Sequence, residues 1–229
     1  MKDFNKKLNE WSNKVVKYCH EIATNPDYEM NLSFFAFQSI PKEKPDLLIL
    51  GINPANSFTY PDQYNNPIWG LIADKQMTPD VFIQANPVFQ NHNTWVLWKN
   101  LSKSFSDVQM NKILANSMYM NYVYFNTPDI ATLLNKKHGK EVFNKCGEFS
   151  LELITDIIKP KQILCLGTEG CFDKLPITNK ECLLKGNKRL LLKGKLLDFY
   201  IYGIPHTSGS ITSDADRKQI GELLKKNFC

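Results

Sequence analysis

The sequence predicts an α/β fold: a three-layer sandwich with a central, mainly parallel four-stranded sheet flanked by helices. Two observations carry this expectation. Four short runs, 46–50, 120–125, 162–166 and 198–203, have the unbroken aliphatic or aromatic character of strands buried on both faces. Helical stretches separate them, and strands alternating with helices imply right-handed parallel crossovers.

The elements follow in order. Phe4, Leu8, Trp11, Val15, Tyr18 and Ile22 recur at spacings of three or four, which marks an amphipathic first helix whose apolar stripe is core. Asp46-Leu47-Leu48-Ile49-Leu50 is the first strand. The segment from Ala55 to about Trp69 is polar and rich in aromatics, Asn and Pro, too long for a minimal connection, and such loops are often functional. Thr78 and Pro79 read as N-cap and first residue of a helix; Asn86-Pro87 interrupts the pattern, and Trp95, Trp98 and Leu101 resume it on one helical face. After the strand ending at Phe125, Thr127, Pro128 and Asp129 read as N-cap, first position and first turn of another helix. A helix beginning near Glu141 stops before Pro160, the next is capped by Thr168, and the last runs from about Asp214 with Ile220, Leu223 and Leu224 inward. A hairpin is expected where Arg189-Leu190-Leu191-Leu192 and Lys195-Leu196-Leu197 flank Gly194.

The 229 residues show no break in composition, so they read as one domain, 1–229, with residues 1–40 as an N-terminal helical extension. A hydrophobic fraction of 43% supplies a sizeable core and excludes a disordered chain. The balance of 28 Lys+Arg against 23 Asp+Glu is compatible with a polyanionic partner without requiring one. The six cysteines include no Cys-x-x-Cys pair, which fits a reduced protein and offers no spacing for a zinc or iron–sulfur site. The start lacks the apolar core of a signal peptide and no apolar run approaches membrane-spanning length, so the expected location is cytoplasmic, with no membrane partner.

Two loops stand at the ends of apolar strands: Gly51-Ile52-Asn53-Pro54 after the first, and His206-Thr207-Ser208-Gly209 after the last. Ligands of open α/β sheets bind at the carboxyl ends of strands, which makes Asn53 and His206 candidates for one site. Each residue also has a plainer role open to it. Asn53 before Pro54 suits a turn, Asn126 suits a cap, and His206 suits a satisfied loop histidine.

Together these loops resemble the signature loops of the uracil-DNA glycosylase superfamily, most closely its mismatch-specific and single-strand-selective branches. Asn65-Asn66-Pro67-Ile68-Trp69 adds a likeness to the Asn-x-Phe-Trp stretch of the mismatch-specific and hypoxanthine-acting relatives. The ordered set spans roughly residues 46–215. The resemblance implies a monofunctional glycosylase that hydrolyses the N-glycosidic bond of uracil or another deaminated base in DNA, in base excision repair. It implies that His206, as a neutral imidazole, stabilises the departing base anion, while Asn53 orients the attacking water without being able to take its proton. Gly51, Ile52, Pro54 and Ser208 would line the base pocket, Asn126 would read the base edge, and Phe58 or Tyr60 would stack on a base taken out of the helix. Ser210 and Ile211 would contact DNA, Ile211 filling the vacated space. No metal or organic cofactor is required, and the expected form is a monomer acting on DNA. Thr207 stands where the superfamily usually has Pro, which removes a locked φ beside His206, and Ala55 replaces a Gly near the pocket. The rival expectations are a non-catalytic nucleic-acid or nucleobase-binding module on the same fold, and a small-nucleoside hydrolase.

Overall fold

The computed structural model describes residues 2–54, 77–85, 92–208 and 212–229. The fold is α/β. A six-stranded mixed sheet has the order β2-β1-β3-β6-β5-β4, with β1 at Leu47–Gly51, β2 at Ser117–Asn121, β3 at Ile163–Leu166, β4 at Thr178–Lys185, β5 at Arg189–Leu196 and β6 at Phe199–Ile204. The expected four-stranded, mainly parallel sheet is therefore corrected: β1, β3 and β6 are parallel neighbours, and β5 and β4 extend the sheet antiparallel.

The chain forms two compact units, Met1–Glu43 with Asn53–Gln90 and Tyr119–Lys159, and Lys44–Ile52 with Asn91–Met118 and Pro160–Cys229. In the second unit Leu47, Leu48, Ile49 and Leu50 are wholly buried, as a strand covered on both faces must be. Leu48 pairs with Ile163, and Cys165 with Gly203, so the carboxyl ends of β1, β3 and β6 emerge at one edge. Gly203 has no side chain because the buried ring of Phe172 takes the space: a Cβ there would lie 2.6 Å from Phe172 Cδ2. Gly194 is not in a turn, contrary to the hairpin expected around it. It lies inside β5, where a Cβ would strike Ile177 and the Thr178 carbonyl. The reversals instead fall at Gly186–Lys188 and at Leu197-Asp198, Leu197 adopting φ 52°. Thr168 caps no helix; the chain turns at Gly167 (φ +115°) into a short 3-10 turn, Phe172–Lys174. Among its described residues the unit also carries α3 at Val96–Ser104, α4 at Val108–Ala115 and α7 at Asp214–Phe228. Ser213 caps α7 in a reciprocal box with Asp216. Gly221 lets α7 approach α3 closely, since a Cβ there would meet the Ser104 carbonyl.

The first unit is built on α1, Lys2–Thr24, whose Leu8, Trp11, Val15 and Ile22 are buried. Trp11 donates its Nε1–H to the Phe149 carbonyl at 2.9 Å and packs against Phe82, Phe37 and Tyr124 at ring separations of 5.7–5.9 Å. Thr78 caps α2, Pro79–Phe82, as its Thr-Pro pair predicts. The expected strand at 120–125 is displaced. β2 ends at Asn121, and Tyr122–Phe125 is a buried, bent segment tied to the 33–39 region by the isolated bridge Phe34↔Phe125 and the Phe35 N–H on the Tyr124 carbonyl, while Phe37 bridges Met120 within β2. Asp129, rather than Thr127, caps α5, Ile130–Leu134. Helix α6, Gly139–Glu152, continues as π-helical turns to Ile158 and closes on Lys159 in the left-handed region. No helix among the described residues is long and apolar enough to cross a membrane.

Candidate functional site

The predicted site residues fall into two constellations. In the first unit, Asn53 and Pro54 come one residue, Ile52, after the end of β1, and both are buried. The Asn53 Nδ2 donates to the Thr127 carbonyl and to Thr127 Oγ1, each at 2.8 Å, and approaches the Pro54 carbonyl at 3.3 Å. The Thr127 backbone N–H in turn donates to the Pro54 carbonyl at 3.2 Å. Both amide hydrogens of Asn53 are thereby spent, and its Oδ1 is the atom left to accept. Thr127, expected only to cap a helix, is what fixes this orientation.

Asn126 is 1% exposed. Its backbone N–H donates to the Ser33 carbonyl at 2.8 Å, and its Nδ2 donates to Ser33 Oγ. Its Oδ1 is buried with no hydrogen-bond partner among the described residues. A buried carbonyl left unpaired costs about 1–3 kcal/mol, a cost that a ligand N–H would remove. An amide whose carbonyl faces a donor accepts from the ring N3–H of uracil and meets a lone pair in cytosine. Ser33 has no local sequence signal as a site residue, because it lies 93 positions from its partner.

In the second unit, Gly51 ends β1 buried and Ile52 is half-buried. His206 follows β6 with its surface exposed, yet the protein around the ring strips enough hydration to hold its pKa below the ordinary 6.5. Ser208 Oγ lies 2.7 Å from His206 Nδ1, and the Ser208 backbone N–H donates to the same atom at 3.4 Å. A backbone N–H can only donate, so Nδ1 is the acceptor and the ring proton sits on Nε2. The result is a neutral imidazole whose remaining donor is Nε2–H. Thr207 is buried; its carbonyl accepts from Asn100 Nδ2 at 2.8 Å, and its Oγ1–H donates to the Leu97 carbonyl at 2.9 Å. Behind the loop, Ser104, Pro205, Thr207, Thr212 and Arg217 line a cavity of about 10 Å³, room for one water at most.

Compared with protein-family models and with curated proteins, the chain has no match.

Phe58, Tyr60, Ser210 and Ile211 lie outside the described residues, as does the Asn65–Trp69 segment. Among the described residues no three His, Cys, Asp or Glu side chains are grouped to hold a metal ion. All six cysteines are free thiols, and those of Cys19, Cys146, Cys165 and Cys171 are buried. The two constellations offer a neutral N–H donor on a loop histidine, an acceptor-only amide on Asn53, and an unpaired carbonyl on Asn126.

Proposed function

We propose that this protein is a monofunctional DNA glycosylase that hydrolyses the N-glycosidic bond of uracil or another deaminated base and leaves an abasic site. The observation that supports it most is the pair of Ser208 groups on His206 Nδ1, which leaves Nε2–H as the ring's donor. Cleavage sends the C1′–N bonding pair into the base, and the charge spreads onto its ring oxygens; an Nε2–H donor stabilises that oxyanion without having to give up its proton. Desolvation lowers the ring's pKa and keeps it neutral near pH 7, and with Nδ1 as acceptor the neutral ring retains its Nε2–H donor. Water adds to the oxocarbenium-like C1′ and releases a proton to solvent. Asn53 Oδ1 accepts one hydrogen bond from that water and so aims its lone pair, but an amide takes no proton. The proposed enzyme is therefore slower than one with a carboxylate in this place. Asn126 accepts from the base N3–H, Phe58 or Tyr60 stacks on the base, and Ser210 with Ile211 occupies the DNA. The proposed setting is the cytoplasm, the proposed partner DNA, and the proposed form a monomer.

The test uses end-labelled oligonucleotides carrying uracil, single-stranded or opposite G or A, with hypoxanthine and xanthine controls, developed with alkali. Alkali-dependent breaks that His206→Ala lowers by about 100-fold or more are expected, the scale of losing one oxyanion donor. Intact strands at high enzyme, with DNA still bound, select the second reading, a nucleic-acid-binding module. That reading draws its support from Asn53, whose amide is locked by Thr127 and supplies no base.

A further inference from the structure

In the loop that carries His206, Pro205 locks φ only on the N-terminal side of the histidine; Thr207 and Ser208 after it have no such covalent restraint. The loop is nevertheless pinned. Thr207 is held at its backbone carbonyl by Asn100 Nδ2 and at its hydroxyl by the Leu97 carbonyl, two grips one helical turn apart on α3. Helix α3 is itself seated: Leu101 is fully buried, the Ser104 backbone lies against Gly221 of α7, and Lys103 pairs with Asp214 at 2.9 Å.

We propose that Asn100 and Thr207 are positioning residues that set the tautomer of His206. Both act through the next residue rather than on the ring: with Thr207 fixed on both sides, the chain places the Ser208 N–H and Oγ–H on Nδ1, and the ring proton goes to Nε2. Releasing Thr207 frees Ser208 to leave Nδ1, which can then carry the proton in its turn, and Nε2 is protonated only part of the time. The consequence for catalysis rests on the glycosylase reading; the consequence for the imidazole does not.

The experiment is nitrogen-15 NMR of the histidine rings in the full-length chain, with the His206 signals assigned by their loss in His206→Ala. In the unmodified protein Nδ1 gives the shift of an unprotonated nitrogen and Nε2 that of a protonated one. In Asn100→Ala and Thr207→Val both shifts move toward a common average, while Thr207→Ser, which keeps the hydroxyl, restores the separation. In the glycosylase assay kcat falls about 10- to 100-fold in the first two variants with KM little changed, the scale of a misplaced catalytic group. Should Asn100→Ala fail to fold, Thr207→Val against Thr207→Ser makes the same comparison. Unmoved ring shifts in the folded variants overturn the proposal even where the parent protein excises base. Shifts that move as described in a protein without glycosylase activity uphold it and remove the glycosylase reading alone.

Discussion

His206 makes a direct claim about pH. Its folded pKa lies below 6.5, so the neutral donor persists as pH falls through the value at which an ordinary histidine titrates. The acid limb of kcat/KM is expected to have its midpoint below pH 6.5, and a midpoint at or above that value in a pH–rate profile contradicts a neutral ring. The stability linkage has the same origin. The unfolded ring protonates first, so the contribution of His206 is fully present above its unfolded pKa and declines as pH drops from there toward the folded value. Asn53 makes a second claim. In Asn53→Asp a carboxylate can accept the proton of water, but it also faces the Thr127 carbonyl that the amide now satisfies. Stability falls by about 1–3 kcal/mol in urea titrations while single-turnover excision per folded molecule rises. An unchanged rate means that Asn53 does not hold the water. These residues are legible in the sequence because their types and their places after strands are local properties. Their orientations are not, since Thr127 reads locally as a cap, while Ser33 and Asn100 meet their partners 93 and 107 positions away.

The strands behave similarly one level up. Runs 46–50, 162–166 and 198–203 announce β1, β3 and β6 because burial on both faces demands continuous apolar character. Hydrophobicity reports burial rather than ladder pairing, so Tyr122–Phe125 has the character of a strand although most of its cover comes from packing. β4 is hidden for the opposite reason: it is largely exposed, carries Asn179, Lys180, Glu181 and Lys185, and is broken by register shifts, so it lacks an apolar signature. Those polar side chains and irregularities suit a strand at the sheet edge, where they discourage pairing with other chains. β6 allows a quantitative check. Gly203→Val drives a branched side chain into Phe172 and is expected to lower stability by about 2–3 kcal/mol by denaturant unfolding. A loss under about 0.5 kcal/mol would show that the ring moves aside and that this contact does not set the strand's residue.

For the molecule as a whole, the excess of Lys+Arg, 28 against 23 Asp+Glu, is modest and carries no function by itself. It does separate the readings. An enzyme that grips DNA phosphates should lose affinity for an oligonucleotide by about tenfold or more between roughly 50 and 200 mM salt, while one acting on free nucleosides should scarcely respond. Fluorescence anisotropy with a labelled uracil oligonucleotide measures this directly.

The strand order also has a consequence for the growing chain. β4, β5 and β6 are consecutive in sequence and pair with their neighbours, whereas β1 waits for β3, made far later, before Leu48 finds Ile163. Local pairing closes fast and distant pairing slowly. Asn53 leaves the ribosome well before His206, so over the intervening stretch of synthesis a nascent chain holds one without the other. On the proposed glycosylase reading, a chain released before His206 is made therefore lacks the histidine the reaction requires.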